Sequence, residues 1–125
     1  MTELTRIQQV SINARDLERA AAFYRDRLGL RHLFDAGPKM SFFVCGGVRL
    51  MLAVAEKPEF DHPGSIVYFA VDDIHAAHGA LAGRGVTFRE KPLVVSRLPG
   101  WEIWMAFLED TEGNVLAITQ EVSTR

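Results

Sequence analysis

Few residues of this chain have types and spacing that could do chemistry. His75 and His78 stand three positions apart, which places two imidazoles on one face of a helix, where they could bind a metal ion. The pair flanks the apolar positions of its predicted helix, which favours two solvent-exposed side chains instead. His32 and His62 have no partner visible in the sequence. Cys45, the single cysteine, has no histidine motif or helix N-terminus beside it, which argues against a catalytic thiol and excludes an internal disulfide.

The elements that must position these residues occur in two similar sets. In the first set, residues 9–14 alternate polar and apolar side chains as a strand does. An amphipathic helix follows Asp16 and ends at Gly29. Short apolar strands come next, at about residues 31–34, 40–45 and 48–54. The predicted order is therefore β-α-β-β-β.

The second set repeats that order after a polar segment, residues 55–64, which is predicted as a linker. A strand at residues 66–71 precedes a helix capped by Asp72 or Asp73, and strands follow at about residues 86–91, 102–109 and 115–119. We therefore predict one α+β domain over residues 1–125. In it, two βαβββ modules, about residues 6–54 and 65–121, form a curved mixed sheet around a cleft, with the helices on the outer face.

Composition excludes several classes of protein. The 125 residues include 14 Lys and Arg against 16 Asp and Glu, a net charge of −2, with no basic run of the kind that binds nucleic acid. No apolar run reaches the roughly 18 residues needed to cross a membrane. The first six residues lack the pattern of a secretory signal, so we expect a cytoplasmic protein. What remains is a domain that handles a small molecule or a protein partner.

Two motifs resemble a known family. Residues 16–30, D-L-E-R-A-A-A-F-Y-R-D-R-L-G-L, resemble the opening of the vicinal oxygen chelate superfamily, which includes glyoxalase I, extradiol dioxygenases and bleomycin-binding proteins. Residues 107–114, F-L-E-D-T-E-G-N, are similar to its second hallmark, F-x-x-D-P-(D/E)-G-N, with Thr111 in place of proline. The resemblance implies paired βαβββ modules around a cleft. It also implies a homodimer.

The resemblance also points to four positions that hold metal ligands in members such as glyoxalase I. In this sequence they are occupied by Gln9, Met51, Ile66 and Ala117. A divalent ion needs several carboxylate or imidazole ligands, and one neutral amide cannot replace them. We therefore expect no bound metal and no other cofactor.

Strand alternation then predicts which side chains line the cleft. If Gln9 faces the cleft, Ser11 and Asn13 do as well, while Val10 and Ile12 pack beneath the helix. The same alternation predicts the inward-facing residues of the later strands. The candidate ligand-binding residues are Gln9, Ser11, Asn13, Arg49, Met51, Ile66, Tyr68, Trp101, Phe107 and Ala117. The alternative is that these residues fill the cleft as core.

Three of these candidates have specific interpretations. Arg49 could grip a carboxylate or phosphate through two parallel hydrogen bonds, or it could be a surface arginine paired with Glu102 or Glu109. Trp101 lies in a predicted loop, residues 96–104, at the mouth of the cleft, where it could stack on a flat ligand. Phe107 aligns roughly with a position that can hold a catalytic Tyr or His in dioxygenases. It has no proton to transfer.

Three functions are compatible with the sequence. The first is a metal-free member of the superfamily that binds a small organic molecule. The second is a lyase, isomerase or dioxygenase of glyoxalase type, using unexpected metal ligands such as His62 or metal-free acid–base chemistry. The third is a protein interaction module with a closed cleft. The sequence favours the first, because the four ligand positions contain no His or carboxylate.

Overall fold

The computed structural model describes residues 3–125. Met1 and Thr2 belong to the segment from which we expected no secretory signal, and they lie outside the described residues. The chain divides into two compact units that meet between Gly64 and Ser65. Each unit contains a helix and a mixed sheet, so the predicted α+β class is confirmed. Among the described residues, no helix is both long and apolar enough to cross a membrane.

The first unit contains a four-stranded sheet in the order β1-β4-β3-β2. The pair β1 and β4 is parallel, and the other pairs are antiparallel. The elements are β1 (Gln9–Asn13), α1 (Leu17–Ala22), β2 (Arg31–Ala36), β3 (Met40–Cys45) and β4 (Val48–Ala53). Residues 55–64, predicted as a linker, lie in this unit and contain a short 3₁₀ turn, Pro58–Phe60.

The first hallmark motif builds α1 and its packing. The Asp16 side chain caps the helix by accepting a hydrogen bond from Arg19 N at 3.1 Å. The helix continues into a π-helical turn, Phe23–Arg27, whose Tyr24 ring is buried against Phe43 of β3. The motif therefore fixes where α1 begins and what it covers.

Strand register gives the first sheet two distinct faces. Phe43, Leu50 and Leu52 lie on the face covered by α1 and are almost completely buried. Because side chains alternate along a strand, the residues between them point the other way. The opposite face, called the open face below, carries Gln9, Ser11, Asn13, Met40, Phe42, Arg49, Met51 and Ala53.

The second unit contains a five-stranded sheet and one helix. Strands β5, β9 and β8 are neighbours in that order, and β6 and β7 pair with successive parts of β8. The elements are β5 (Val67–Ala70), α2 (Ile74–Gly83), β6 (Thr87–Phe88), β7 (Leu93–Leu98), β8 (Trp101–Glu109) and β9 (Val115–Ser123). This unit therefore has one strand more, β7, than the predicted β-α-β-β-β order.

The predicted loop at residues 96–104 was wrong. Residues up to Leu98 belong to β7, and Trp101 already begins β8. The turn between them is only Pro99 and Gly100, and Gly100 has a φ of 88°, which glycine adopts without strain. Pro and Gly therefore mark a tight hairpin here, and the flanking residues form its strands.

The second hallmark motif is a hydrogen-bonded turn between β8 and β9. Asp110 Oδ1 accepts hydrogen bonds from Glu112 N and Asn114 N, each at 2.8 Å. Asp110 Oδ2 accepts another from Asn114 Nδ2 at 2.8 Å. Gly113 has a φ of 85°, which the turn requires. The carboxylate, amide and glycine of this motif are therefore used to close a turn.

Candidate functional site

A cavity of about 460 Å³ lies against the open face of the first unit. The wall formed by the sheet combines the cross-strand pairs Ser11–Met51 and Met40–Ala53 with Asn13. The remaining wall comes from the segment that follows β4. The residues lining the cavity are Ser11, Asn13, Met40, Met51, Ala53, Val54, Ala55, Glu56, Lys57, Phe60, His62 and Gly64. Apolar lining with a few polar groups is the usual composition of a site for a small organic molecule.

The segment after β4 is held near the sheet by polar contacts. Asn13 Nδ2 donates a hydrogen bond to Asp61 Oδ1 at 3.1 Å. Val54 N donates to Lys39 O at 2.9 Å, which continues the pairing of β3 and β4 beyond the last strand residue. The 3₁₀ turn then presents Phe60, which remains 57% exposed. Residues 54–64 therefore form a wall of the cavity.

Sequence reasoning missed this wall. Of the predicted candidates, Ser11, Asn13 and Met51 line the cavity, whereas Met40, Phe60 and Lys57 were not predicted. A signal was available in Phe60, a large apolar residue within an otherwise polar segment. An aromatic side chain offers a large apolar surface that can pack against a ligand.

Gln9, Arg49 and Met51 form a connected group on the open face. Arg49 Nε donates a hydrogen bond to Gln9 Oε1 at 2.8 Å. Gln9 Nε2 in turn lies 3.6 Å from Met51 Sδ, within the range of a weak hydrogen bond to sulfur. The guanidinium carbon of Arg49 lies 5.1 Å from the centre of the Phe42 ring and 6.0 Å from that of Phe34, distances at which a cation interacts with an aromatic face.

This arrangement does not fit a divalent metal ion. The Gln9 oxygen, the hardest donor of the group, faces a guanidinium whose positive charge would repel a second cation. Met51 offers only a thioether, and Ile66 and Ala117 in the second unit have no donor atoms in their side chains. Across residues 3–125, no group of three or more His, Cys, Asp or Glu is placed to hold a metal ion.

His62 contributes an imidazole ring to the cavity. Its Nδ1 lies 2.9 Å from the carbonyl oxygen of Pro63. A carbonyl oxygen only accepts, so Nδ1 carries the hydrogen and Nε2 of the neutral ring has a free lone pair. Nε2 can therefore accept a hydrogen bond or a proton.

A second cavity of about 580 Å³ lies beside α1 and the β2–β3 hairpin. It is more polar, and its lining includes Glu18, Asp35 and Ser41. The nearby Ser41 hydroxyl, and then His32, whose Nε2 lies 2.9 Å from Asp35 Oδ1, hold the pKa of the Asp35 carboxyl below its usual value. This cavity contains none of the predicted site residues, so the open-face cavity is the candidate ligand site.

The predicted residues of the second unit form a separate group. Ala117 pairs with Tyr68 on one side and Phe107 on the other, and the two rings meet edge to face at 6.1 Å. Tyr68 is 46% exposed, whereas Ala117 has no exposed surface. Ile66 is exposed and lies just before β5. Trp101 begins β8, about 20 Å of strand away from Phe107.

The acids considered as partners for Arg49 are engaged within the second unit. Glu102 pairs with Arg97 at 3.2 Å, and Glu109 pairs with Arg89 at 3.1 Å. Among the described residues of the first unit, no carboxylate pairs with the Arg49 guanidinium. Both acids are therefore engaged by arginines of their own unit, which argues against the surface ion pair as the alternative for Arg49.

Comparison with solved structures finds the same fold in several proteins. Lactoylglutathione lyase from Agrobacterium tumefaciens is 21% identical over 94% of this chain and 95% of that chain, with a TM-score of 0.71. TnmS3, an antibiotic binding protein from Streptomyces sp. CB03234, is 24% identical over 96% of this chain and 98% of that chain, with a TM-score of 0.76. At these identities the likeness shows the fold alone.

The family is shown by a different comparison. No curated protein matches the chain. The model of the Glyoxalase/Bleomycin resistance protein/Dioxygenase superfamily, however, matches residues 6–118, which include both hallmark motifs. Because this match covers nearly the whole chain, the protein belongs to the Glyoxalase/Bleomycin resistance protein/Dioxygenase superfamily.

Proposed function

We propose that this protein binds a small organic molecule in the open-face cavity and that binding needs no metal ion. The observation that carries the proposal is the cavity itself, whose volume of about 460 Å³ falls within the roughly 300–1,000 Å³ of typical ligand sites. Apolar side chains from β3, β4 and the following segment would bury the body of the ligand. The few polar groups, Ser11 and Asn13 among them, would fix its orientation.

Two further points support metal-free binding. The donor set described above has an arginine in contact with the one amide oxygen, which favours an anion rather than a metal cation at this place. One structural relative, TnmS3, is an antibiotic binding protein, so the fold is compatible with binding as a function. The binding residues proposed in the first unit are Gln9, Ser11, Asn13, Arg49 and Met51.

The proposal is tested with N-phenyl-1-naphthylamine, a neutral fluorophore whose emission rises in apolar surroundings. We expect saturable binding that EDTA does not change, to protein that contains no stoichiometric divalent metal by elemental analysis. Ala53→Trp places an indole in the cavity and is expected to weaken binding about 100-fold, or about 2.7 kcal/mol. Ala82→Trp, at an exposed position of α2, is the matched control and should leave binding unchanged.

Three outcomes contradict this proposal. Equal binding by the wild-type protein and Ala53→Trp would place the probe elsewhere, and a tightly held metal required for binding would reject metal independence. Absence of probe binding would overturn the proposal that this cavity binds an apolar molecule.

A glyoxalase-type enzyme is the second candidate, and His62 is the observation that favours it. Its Nε2 is available as a base in the cavity. One structural relative is a lactoylglutathione lyase. Formation of S-lactoylglutathione by the wild-type protein, abolished in His62→Gln, would favour this candidate over binding alone.

We also propose that the protein is a cytoplasmic homodimer, as expected from the sequence and the family resemblance. The residues proposed in the second unit, Ile66, Tyr68, Trp101, Phe107 and Ala117, remain part of the proposed ligand-binding set. Light scattering at micromolar concentration measures the mass in solution. A mass equal to that of one 14.0 kDa chain would contradict the dimer.

A further inference from the structure

Arg49 is a half-buried cation without an acidic partner among the described residues of its unit. Its contacts are the neutral oxygen of Gln9, at 2.8 Å, and the faces of Phe42 and Phe34. These contacts hold the guanidinium in place without neutralising it. A partly desolvated charge in such surroundings gains strongly from an anion.

The hydrogen bond to Gln9 uses one edge of the guanidinium and leaves another edge available. Only Nε donates to Gln9, so the hydrogens of the two terminal nitrogens are not used by that bond. Those two nitrogens form the planar fork that binds a carboxylate through parallel hydrogen bonds. The Phe42 ring supports the plane of the guanidinium from one side, at 5.1 Å.

Arg49 lies close to the cavity along strand β4. The pair Gln9–Arg49 lies on the open face two residues from the pair Ser11–Met51, which lines the cavity. Two residues of strand correspond to about 7 Å, the size of one aromatic ring with a substituent. Gln9 also touches Met51, so the two pairs are in contact along the face.

We propose that Arg49 is the anion-binding group of this site and that the ligand is an apolar molecule bearing one carboxylate. This inference rests on the proposed function, since it assigns the ligand class to the same cavity. The apolar body lies against Met40, Met51 and Phe60, and the carboxylate reaches along the open face to Arg49. Gln9 is a positioning residue, because its oxygen fixes the orientation of the guanidinium.

Lys57 is the competing cation, since it also lines the cavity. It lies in the segment after β4 next to Glu56, an acid that lines the same cavity. A lysine ammonium is a mobile point charge, whereas Arg49 is held on a strand by three contacts. The geometry therefore assigns carboxylate recognition to Arg49.

The test compares 2-naphthoate with 2-naphthamide, two molecules of nearly the same shape that differ in charge. Each displaces N-phenyl-1-naphthylamine, and the ratio of their inhibition constants is measured in every variant. We expect naphthoate to bind about tenfold more tightly in the wild-type protein and the ratio to fall to about one in Arg49→Met. Arg89→Met removes the same charge from an exposed ion pair of the second unit and should keep the wild-type ratio.

A second variant keeps Arg49 in place. Gln9→Glu puts a carboxylate at the position of the amide that contacts Arg49. The positive charge of the guanidinium is then neutralised by a residue of the protein itself. We expect this variant also to lose the preference for naphthoate. It tests the assignment even if Arg49→Met is poorly folded. A preference that survives in both variants, or one that only Lys57→Met removes, overturns the assignment of Arg49.

The ligand class and the proposed function fail in different ways. If N-phenyl-1-naphthylamine binds and Ala53→Trp blocks it, but naphthoate and naphthamide displace it equally well, the proposed function stands and the assignment of a carboxylate is wrong. If 1-naphthyl phosphate binds more tightly than naphthoate through Arg49, the carboxylate is again wrong and the ligand carries phosphate. If the fluorophore does not bind, both the proposed function and this inference are overturned.

Discussion

Asp110→Ala is expected to lower the free energy of unfolding by about 4 kcal/mol, since a hydrogen bond to a charged group is worth about 1.5–3 kcal/mol and a buried donor left without an acceptor costs about 1–3 kcal/mol. Asp110 is 8% exposed, and its carboxylate accepts hydrogen bonds from two backbone N–H groups and from the Asn114 amide. Alanine leaves all three donors without this acceptor. Partial hydration of the turn keeps the loss below the sum of the three.

Urea unfolding followed by circular dichroism measures this effect. Asp110→Asn keeps one acceptor oxygen but loses the charge, so it should fall between the wild-type protein and the alanine variant. Asp72→Ala, at an exposed position, is the control and should change the free energy of unfolding by less than about 0.5 kcal/mol. If Asp110→Ala were as stable as Asp72→Ala but no longer bound the fluorophore, the second hallmark would be part of the binding site and not a structural turn.

Phe43→Ala is expected to cost about 4 kcal/mol, because large buried aromatic residues replaced by alanine lose about 3–5 kcal/mol. The Phe43 ring has no exposed surface and packs against the rings of Tyr24 and His32. Its removal would leave a cavity beneath α1. The strand pairing on either side of Phe43 prevents the sheet from closing that space.

Phe34→Ala is the matched control, because Phe34 lies on the same hairpin but is 46% exposed. We expect it to change the free energy of unfolding by less than about 1.5 kcal/mol, as a half-exposed ring loses only part of its transfer energy. The same urea titration measures both variants. Equal losses from Phe43→Ala and Phe34→Ala would contradict the assignment of the two faces of the first sheet.

Phe43 shows what the sequence could and could not decide about β3. Residues 40–45 are predicted as a strand from their apolar composition alone. Phe42 and Phe43 are adjacent, so their side chains point to opposite faces of the sheet. Composition does not indicate which of the two rings is buried beneath the helix. The pairing of Phe43 with Leu50 decides the question, since Leu50 lies beneath α1.

Arg49 shows the same limit at the candidate site. Strand alternation predicts that it shares a face with Gln9 and Met51, and the register of β1 and β4 agrees. The sequence does not decide whether its partner is a ligand anion or a surface acid. The two acids considered as partners, Glu102 and Glu109, pair with Arg97 and Arg89 instead. No sequence pattern indicates these ion pairs. An ion pair depends on how side chains from distant segments meet, so it is a tertiary property.

The sequence by itself determined the elements that depend on interactions between residues close together in the chain. Asp16 begins α1, Asp110 and Gly113 close the β8–β9 turn, and the change from strand to helix periodicity marks the repeated order of elements. Each of these depends on hydrogen bonds or backbone angles within a few residues. A family motif built from such residues therefore predicts the fold well.

Only the tertiary structure decided which surfaces remain open. It folded residues 55–64, a predicted linker, into a wall of the cavity, so that Phe60 and His62 line the same cavity as Met51. It also left Arg49 without an acid among the described residues of its unit. The physical reason is that a cavity and an unpaired charge are defined by what is missing around a group. That depends on every segment that packs nearby, and local sequence encodes only the group itself.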